Sequence, residues 1–253
     1  MISCFTVTQE GRLDVLAHAI ADFRRQSVSD RELVVVHDGG DVFHAGVSRL
    51  ASAVGEAPVR VMRVAPGRTL GALRNVAVDE SRGEYVCQWD DDDRYHPQRL
   101  EAQLDALLAA KADCSFLSDQ LHLFVPMREM YWDDWHEEPY PLNFAPGTLF
   151  GRRNLLARYP DLKRGEDSAL CIAMLREGRT FARMRDLGWL YVYRFDGRNS
   201  FDQVHHASIS LRRSFRGPKL LQHEAELRAR IAEYTPPLGP LTMPYEGGHL
   251  ALA

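Results

Sequence analysis

The run Asp90-Asp91-Asp92-Asp93 directly follows the apolar stretch Tyr85-Val86-Cys87-Gln88-Trp89. Two like charges about 4 Å apart repel by about 4 kcal/mol at an effective dielectric near 20, so such a run is held by a cation or by fixed donors. Carboxylates that end a strand of an open α/β sheet face its ligand crevice, and the chemistry they suggest is a metal or phosphate site. The competing reading is a solvated turn or a helix N-terminal charge, worth roughly 0.3–1 kcal/mol. A helix beginning near Pro97 accounts for Asp93 better than for Asp90 to Asp92. Other groups able to do chemistry are Thr8, Asp38, Arg74, the acidic pair Glu166-Asp167 after Gly165, and His205-His206. Each has a plain alternative: an Asx turn for Asp38, a surface position for Arg74 or the histidines, helix capping for the acidic pair.

Bringing these groups to one rim requires alternating strands and helices. Ile2 to Val7 reads as a strand, and Leu13, Leu16, Ile20 and Phe23, spaced by three and four, as the helix after it. Leu33 to Val36 gives a second strand, Val47, Leu50 and Val54 a helix, and Val59 to Val64 a third strand. Leu70, Leu73, Val76 and Ala77 mark a helix before the strand Glu84 to Trp89. This alternation implies a mostly parallel, doubly wound α/β sheet with its ligand edge at the strand carboxyl ends. Leu100, Leu104, Leu107 and Leu108 then line a helix starting at Pro97. Residues 114–150 change to short strands and aromatic-rich loops, including Tyr131-Trp132-Asp133-Asp134-Trp135. A helix over Asp167 to Arg176, strands near Phe181 and Leu190 to Phe195, and a helix around Leu220 to Ile231 complete the expected set. The expected organisation is one domain over 1–235, divided into a ligand-binding half (1–93) and a smaller mixed half (94–235) with a C-terminal helix. The Pro-rich tail 236–253 reads as a nonregular strap or a disordered end.

With 253 residues, 45% hydrophobic and 26% charged, the composition is that of a globular protein with one sizeable core. A total of 31 basic against 35 acidic residues, net charge −4, gives no electrostatic footprint for nucleic acid. The local cluster Arg212, Arg213, Arg216 and Lys219 fits a solvated helix face, and could also meet a diphosphate or an anionic membrane surface peripherally. No apolar stretch reaches the roughly eighteen residues of a transmembrane helix, and no basic region followed by an apolar leader opens the chain, so a cytoplasmic location is expected. Cys4, Cys87, Cys114 and Cys171 lack metal-ligand spacing and read as small buried hydrophobes in a reducing compartment.

Four segments in order sharpen the reading: Val34-Val35-Val36-His37-Asp38-Gly39-Gly40, Leu70-Gly71-Ala72-Leu73-Arg74-Asn75, Gln88 through Pro97, and Gly165-Glu166-Asp167. Through them the chain resembles the family 2 glycosyltransferases, enzymes of the GT-A fold that transfer a sugar from a nucleotide diphosphate, and the resemblance runs to about Ser200. It implies that Asp38 and Arg74 contact the nucleobase while the Thr8 region closes the base pocket. Asp90 would lie near the ribose, Asp91 in the variable position, and Asp92 on a divalent cation, Mn2+ or Mg2+. Asp167, paired with Glu166, would be the acceptor-side base. His205 or His206 would be the late histidine that some relatives supply to the metal. The chemistry is consistent: a carboxylate accepts an imide N–H and a guanidinium donates to carbonyl oxygens, while a hard cation takes oxygen ligands and can bridge two phosphates. No Walker loop or GxGxxG is present to meet the diphosphate otherwise. Gln9-Glu10 stands where relatives often carry Tyr-Asn, and 118–145 matches no assigned family segment.

The function so implied is a metal-dependent inverting transfer from a nucleotide-diphosphate sugar, UDP-linked or related, to a carbohydrate or glycolipid hydroxyl in polysaccharide or glycoconjugate synthesis. A sugar-phosphate nucleotidyltransferase would want a Gly-rich, lysine-bearing loop after the first strand, and Thr8 to Arg12 contains no lysine. Against a non-catalytic nucleotide-sugar-binding module stand intact Asp92 and Asp167.

Overall fold

The computed structural model describes residues 1–253 except Val54, Glu56, Tyr140 and Ala253. Strand β1 (Ile2–Val7), helix α1 (Leu13–Arg24), strand β2 (Arg31–His37), helix α2 (Asp41–Ser52), strand β3 (Val59–Arg63), helix α3 (Leu70–Glu80) and strand β4 (Tyr85–Gln88) follow in turn. Val54, expected on the second helix, lies outside the described residues. Strand β1 runs parallel between β2 and β4, with Cys4 opposite both Leu33 and Cys87. The strands are apolar on both faces because helices cover both. Leu33 and Val35 join one core with Leu16, Ala19, Ile20 and Phe23 of α1, while Val34 and Val36 join a second core with Leu73 and Ala77 of α3. The doubly wound α/β reading holds.

At the aspartate run the chain changes sheets. Strand β5 (Arg94–Tyr95) already belongs to a second sheet, and helix α4 (Arg99–Ala110) starts two residues past Pro97, with Gln98 at its N-cap. Strand β6 (Cys114–Leu117) returns to the first sheet, β7 (Asp119–Phe124) and β8 (Glu129–Asp134) form an antiparallel hairpin in the second, and β9 (Phe150–Arg152) inserts antiparallel between β4 and β6. Helix α5 (Glu166–Arg176), strand β10 (Phe181–Met184), strand β11 (Tyr191–Phe195) and helices α6 (Gln203–Arg213), α7 (Pro218–Gln222) and α8 (Glu224–Ile231) follow. The last elements are strands β12 (Leu241–Tyr245) and β13 (Gly248–Leu252). The first sheet has the order β10-β6-β9-β4-β1-β2-β3 and the second β13-β12-β8-β7-β11-β5.

Two expectations are corrected. The single helix around Leu220 to Ile231 is two, meeting at His223. The tail, expected as a strap or disordered end, is the β12–β13 hairpin. Its alternating Leu241, Met243, Leu250 and Leu252 are buried, the period of a strand with one covered face. Gly247 turns the hairpin at φ 94°, a conformation that a glycine adopts without steric cost. Pro244 lies beyond the registered pairing of Thr242 with Glu129 that joins β12 to β8, so its missing N–H leaves that contact intact.

Candidate active site

The aspartates sit where β4 ends and β5 begins, and their partners come from both sheets. Asp90 accepts from Arg74 Nη2 at 2.8 Å and Gln88 Nε2 at 3.0 Å. Asp91 and Asp92 share one nitrogen, Arg12 Nη1, at 2.9 and 3.0 Å, and Asp92 also accepts from Asn199 Nδ2 at 3.2 Å. Asp93 is fully satisfied by protein: Tyr191 Oη donates to one oxygen and the Arg194 N–H to the other. Asp93 is therefore a strut joining β5 to β11, which explains it better than the expected helix-terminal charge.

Burial and crowding leave this rim short of positive charge. Burial, followed by the charge of Asp92, pushes the Asp91 carboxyl up to about 7 in spite of Arg12. Burial also raises Asp92, and lifts Asp93 well above the usual carboxylate range. Asp91 Oδ2 is buried without a hydrogen-bond partner. An orphaned carboxylate oxygen beside a second raised carboxylate fits a hard divalent cation such as Mg2+ or Mn2+, which takes one or two protein carboxylates and fills its shell with phosphate oxygens and water. Among the described residues no three His, Cys, Asp or Glu side chains gather as a ready metal cage.

The rim opens on a cleft of about 440 Å³ that Asp90 to Asp93, Arg12, Arg74, Glu166 and Asp167 all line. The acidic pair opens α5 after Gly165, whose φ of 72° makes the turn into the helix. Its two members differ. Glu166 is buried and ion-paired with Arg74 Nη1 at 2.8 Å, whereas Asp167 is half-buried with its Oδ1 accepting from the Ser168 N–H at 2.6 Å. Burial pushes Glu166 up, against the pull of Arg74. Arg74 itself is fully enclosed, which favours the neutral form, yet Asp90 and Glu166 hold it firmly above its ordinary value. Its position depends on Gly71, one turn earlier, whose N–H bonds Leu162 O at 3.0 Å and where a Cβ would lie 1.9 Å from the Pro160 carbonyl oxygen.

Several expected roles change in this geometry. The two terminal nitrogens of Arg74 face Asp90 and Glu166, so it ties the aspartate rim to the start of α5. Thr8 and Asp38 do lie at the adjacent ends of β1 and β2, the Thr8 N–H bonding Val36 O and Asp38 accepting from Gly67 N at 3.2 Å, but neither lines the cleft with the aspartates. His206 is not placed as a metal ligand: it is buried, its Nδ1 faces His122 Nε2 at 3.0 Å, and burial and the neighbouring histidines push it down to about 3. His205 lines the cleft, stacked on Phe201 with ring centroids 4.2 Å apart, outside any cluster of ligands. Trp135, from the aromatic-rich segment read as either a pocket rim or a core-sealing loop, lines the cleft, and residues missed in the sequence are Arg12, Asn199 and Tyr191, which also line it. Arg12 had one usable signal, a lone cation at the N-terminus of the first helix, where a structural role would have disfavoured it.

The sequence matches the family described as Glycosyl transferase family 2 over residues 4–149, more than half of the chain. No curated protein matches it. Among solved structures it is similar to S. aureus TarS 1-349 in complex with UDP-GlcNAc, with TM-score 0.62 and 17% identity over 92% of this chain and 66% of that one. It is similar to the mannosyltransferase PcManGT from Pyrobaculum calidifontis in complex with GDP-Man and Mn2+, with TM-score 0.60 and 15% identity over 92% and 70%. TarS 1-349 without a named ligand gives TM-score 0.57 and 15% identity over 90% and 73%. The two-sheet architecture is that of GT-A glycosyltransferases, and the chain belongs to glycosyl transferase family 2.

Proposed function

We propose that this family member is a metal-dependent, inverting glycosyltransferase that moves a sugar from a nucleoside diphosphate, UDP foremost, to a hydroxyl of a carbohydrate or glycolipid acceptor. The observation that carries the reading is the cation-short Asp91–Asp92 edge sharing one cleft with Asp167. Asp91 and Asp92 would hold Mn2+ or Mg2+, which supplies positive charge to the departing diphosphate when bound. Asp167 takes the acceptor O–H proton while that oxygen attacks the anomeric carbon; the bond to the diphosphate breaks and its electron pair leaves with the phosphate oxygen. A single displacement of this kind inverts the anomeric centre. Glu166, tied to Arg74, positions the turn that carries Asp167. Asp90 accepts from the ribose, and Asp38 with Thr8, outside the cleft lining at the adjacent ends of β2 and β1, is assigned to the base end.

Neighbours bound to UDP, UDP-GlcNAc and GDP-Man support the donor class, and the Mn2+ in one of them supports the cation. No helix among the described residues is long and apolar enough to cross a membrane. Four free, buried thiols support work in a reducing compartment, the cytoplasm, on polysaccharide or glycoconjugate assembly. The decisive experiment is Asp92→Ala, assayed for donor turnover with and without Mn2+. Metal-dependent turnover disappears while circular dichroism and melting temperature stay as in wild type; metal-dependent turnover equal to wild type overturns the reading.

A further inference from the structure

A second cavity, of about 290 Å³, shares no lining residue with the first. Residues 237–241 of the tail form one wall; His18 of α1, Arg94 of β5, Arg128 after β7 and Arg194 of β11 supply the charge-bearing lining, and no carboxylate lines it. Arg94 is neutralised by Asp22, which it meets at 2.6 and 3.1 Å, and donates to Pro236 O at 2.8 Å. Among the described residues Arg128 and Arg194 carry no ion pair. Arg194 Nη1 donates to the Asp92 carbonyl at 3.0 Å, so it stands between this cavity and the aspartate rim. The ring of His18 leaves Nδ1 buried with no hydrogen-bond partner.

We propose that this cavity binds a phosphate-class anion, either free phosphate or the phosphate ester of a substrate, between Arg128, Arg194 and His18. Two guanidiniums without ion pairs line one recess, and a phosphate dianion matches their paired N–H geometry. His18 registers the excess charge: burial, and then Arg94 and Arg194, lower its pKa against the opposing pull of Asp14. The cavity volume of about 290 Å³ admits a phosphate group. The tail thereby gains a task, since without residues 237–241 the recess has no outer wall.

The test is calorimetric titration of inorganic phosphate, and separately of glycerol 3-phosphate, into wild type, Arg128→Gln and Arg12→Gln. Arg128→Gln weakens both anions about tenfold, as loss of one charge-assisted hydrogen bond implies, while Arg12→Gln, in the first cleft, leaves them unchanged. Tighter binding of the ester than of phosphate assigns the anion to a substrate, and equal binding assigns it to free phosphate. Absence of binding to wild type overturns the proposal, as does loss of binding in Arg12→Gln with retention in Arg128→Gln. Circular dichroism of Arg128→Gln confirms that the variant compared is folded.

Discussion

The two sheets bury carboxylates in different company. Beneath α6, a single carboxylate faces two donors: Asp133 Oδ2 meets His122 Nδ1 at 2.9 Å and Ser210 Oγ at 3.0 Å, and His122 continues to His206. At the junction of β4 and β5, four consecutive carboxylates stand together, and two of them divide one guanidinium nitrogen. The group under α6 is buried throughout, while at the rim Asp91 and Asp93 are buried and Asp90 and Asp92 are partly exposed. Burial of polar atoms is therefore no mark of a site by itself; what separates the regions is how the carboxylates are met, one by an imidazole and a hydroxyl under α6, Asp90 to Asp92 crowded around two guanidiniums at the rim.

The largest effect that would sharpen this contrast is on chemistry. Asp167→Asn lowers transfer about 10²–10⁴-fold, the usual yield of general base catalysis, while UDP affinity in a calorimeter stays level; transfer near wild type removes the assigned base. Next comes pH. The folded chain holds a proton on Asp91 up to about 7 that the unfolded chain releases near its ordinary value of 3.8. The folded state thus binds more protons between these limits, so this residue's contribution to stability falls as pH rises through the window, by up to about 4 kcal/mol. Urea melts of wild type against Asp91→Asn across pH 4–7 measure the difference, and parallel profiles would break the charge imbalance argued here. Mn2+ with UDP flattens the wild-type slope. In the other region, Asp133→Ala strands His122 and Ser210 and costs roughly 2–3 kcal/mol of stability with donor affinity unchanged. Smallest is His206→Leu, about 1 kcal/mol for one lost hydrogen bond and no change in Mn2+ affinity; a tenfold weaker Mn2+ response would restore this histidine to the ligand set.

Legibility followed the same division. Strands β1 to β4 read directly, since parallel strands covered on both faces are continuous apolar runs and each helix between them carries its own stripe. The second sheet escaped because its partners are distant: β5 pairs with β11, and β12 with β8, through contacts that no local period encodes. Four prolines argued against strands in the tail, yet the alternation of Leu241, Met243, Leu250 and Leu252 was there to find. Within the site, the acidic residues stood out by type and order. Arg12 and Asn199 did not, because each lies in a loop whose position is decided by which strands it joins. The distinction between Glu166 and Asp167 was equally hidden, since only the placement of Arg74 separates them.

Arg74 has a further consequence. Lodged by the close approach of Gly71 to Pro160, it joins Asp90 at the end of β4 to Glu166 at the start of α5. Exchanging the α5 segment with that of another chain of this fold must transplant Gly71, Arg74, Asp90 and Glu166 as one set, because a mismatched seam would strand a charge at its centre.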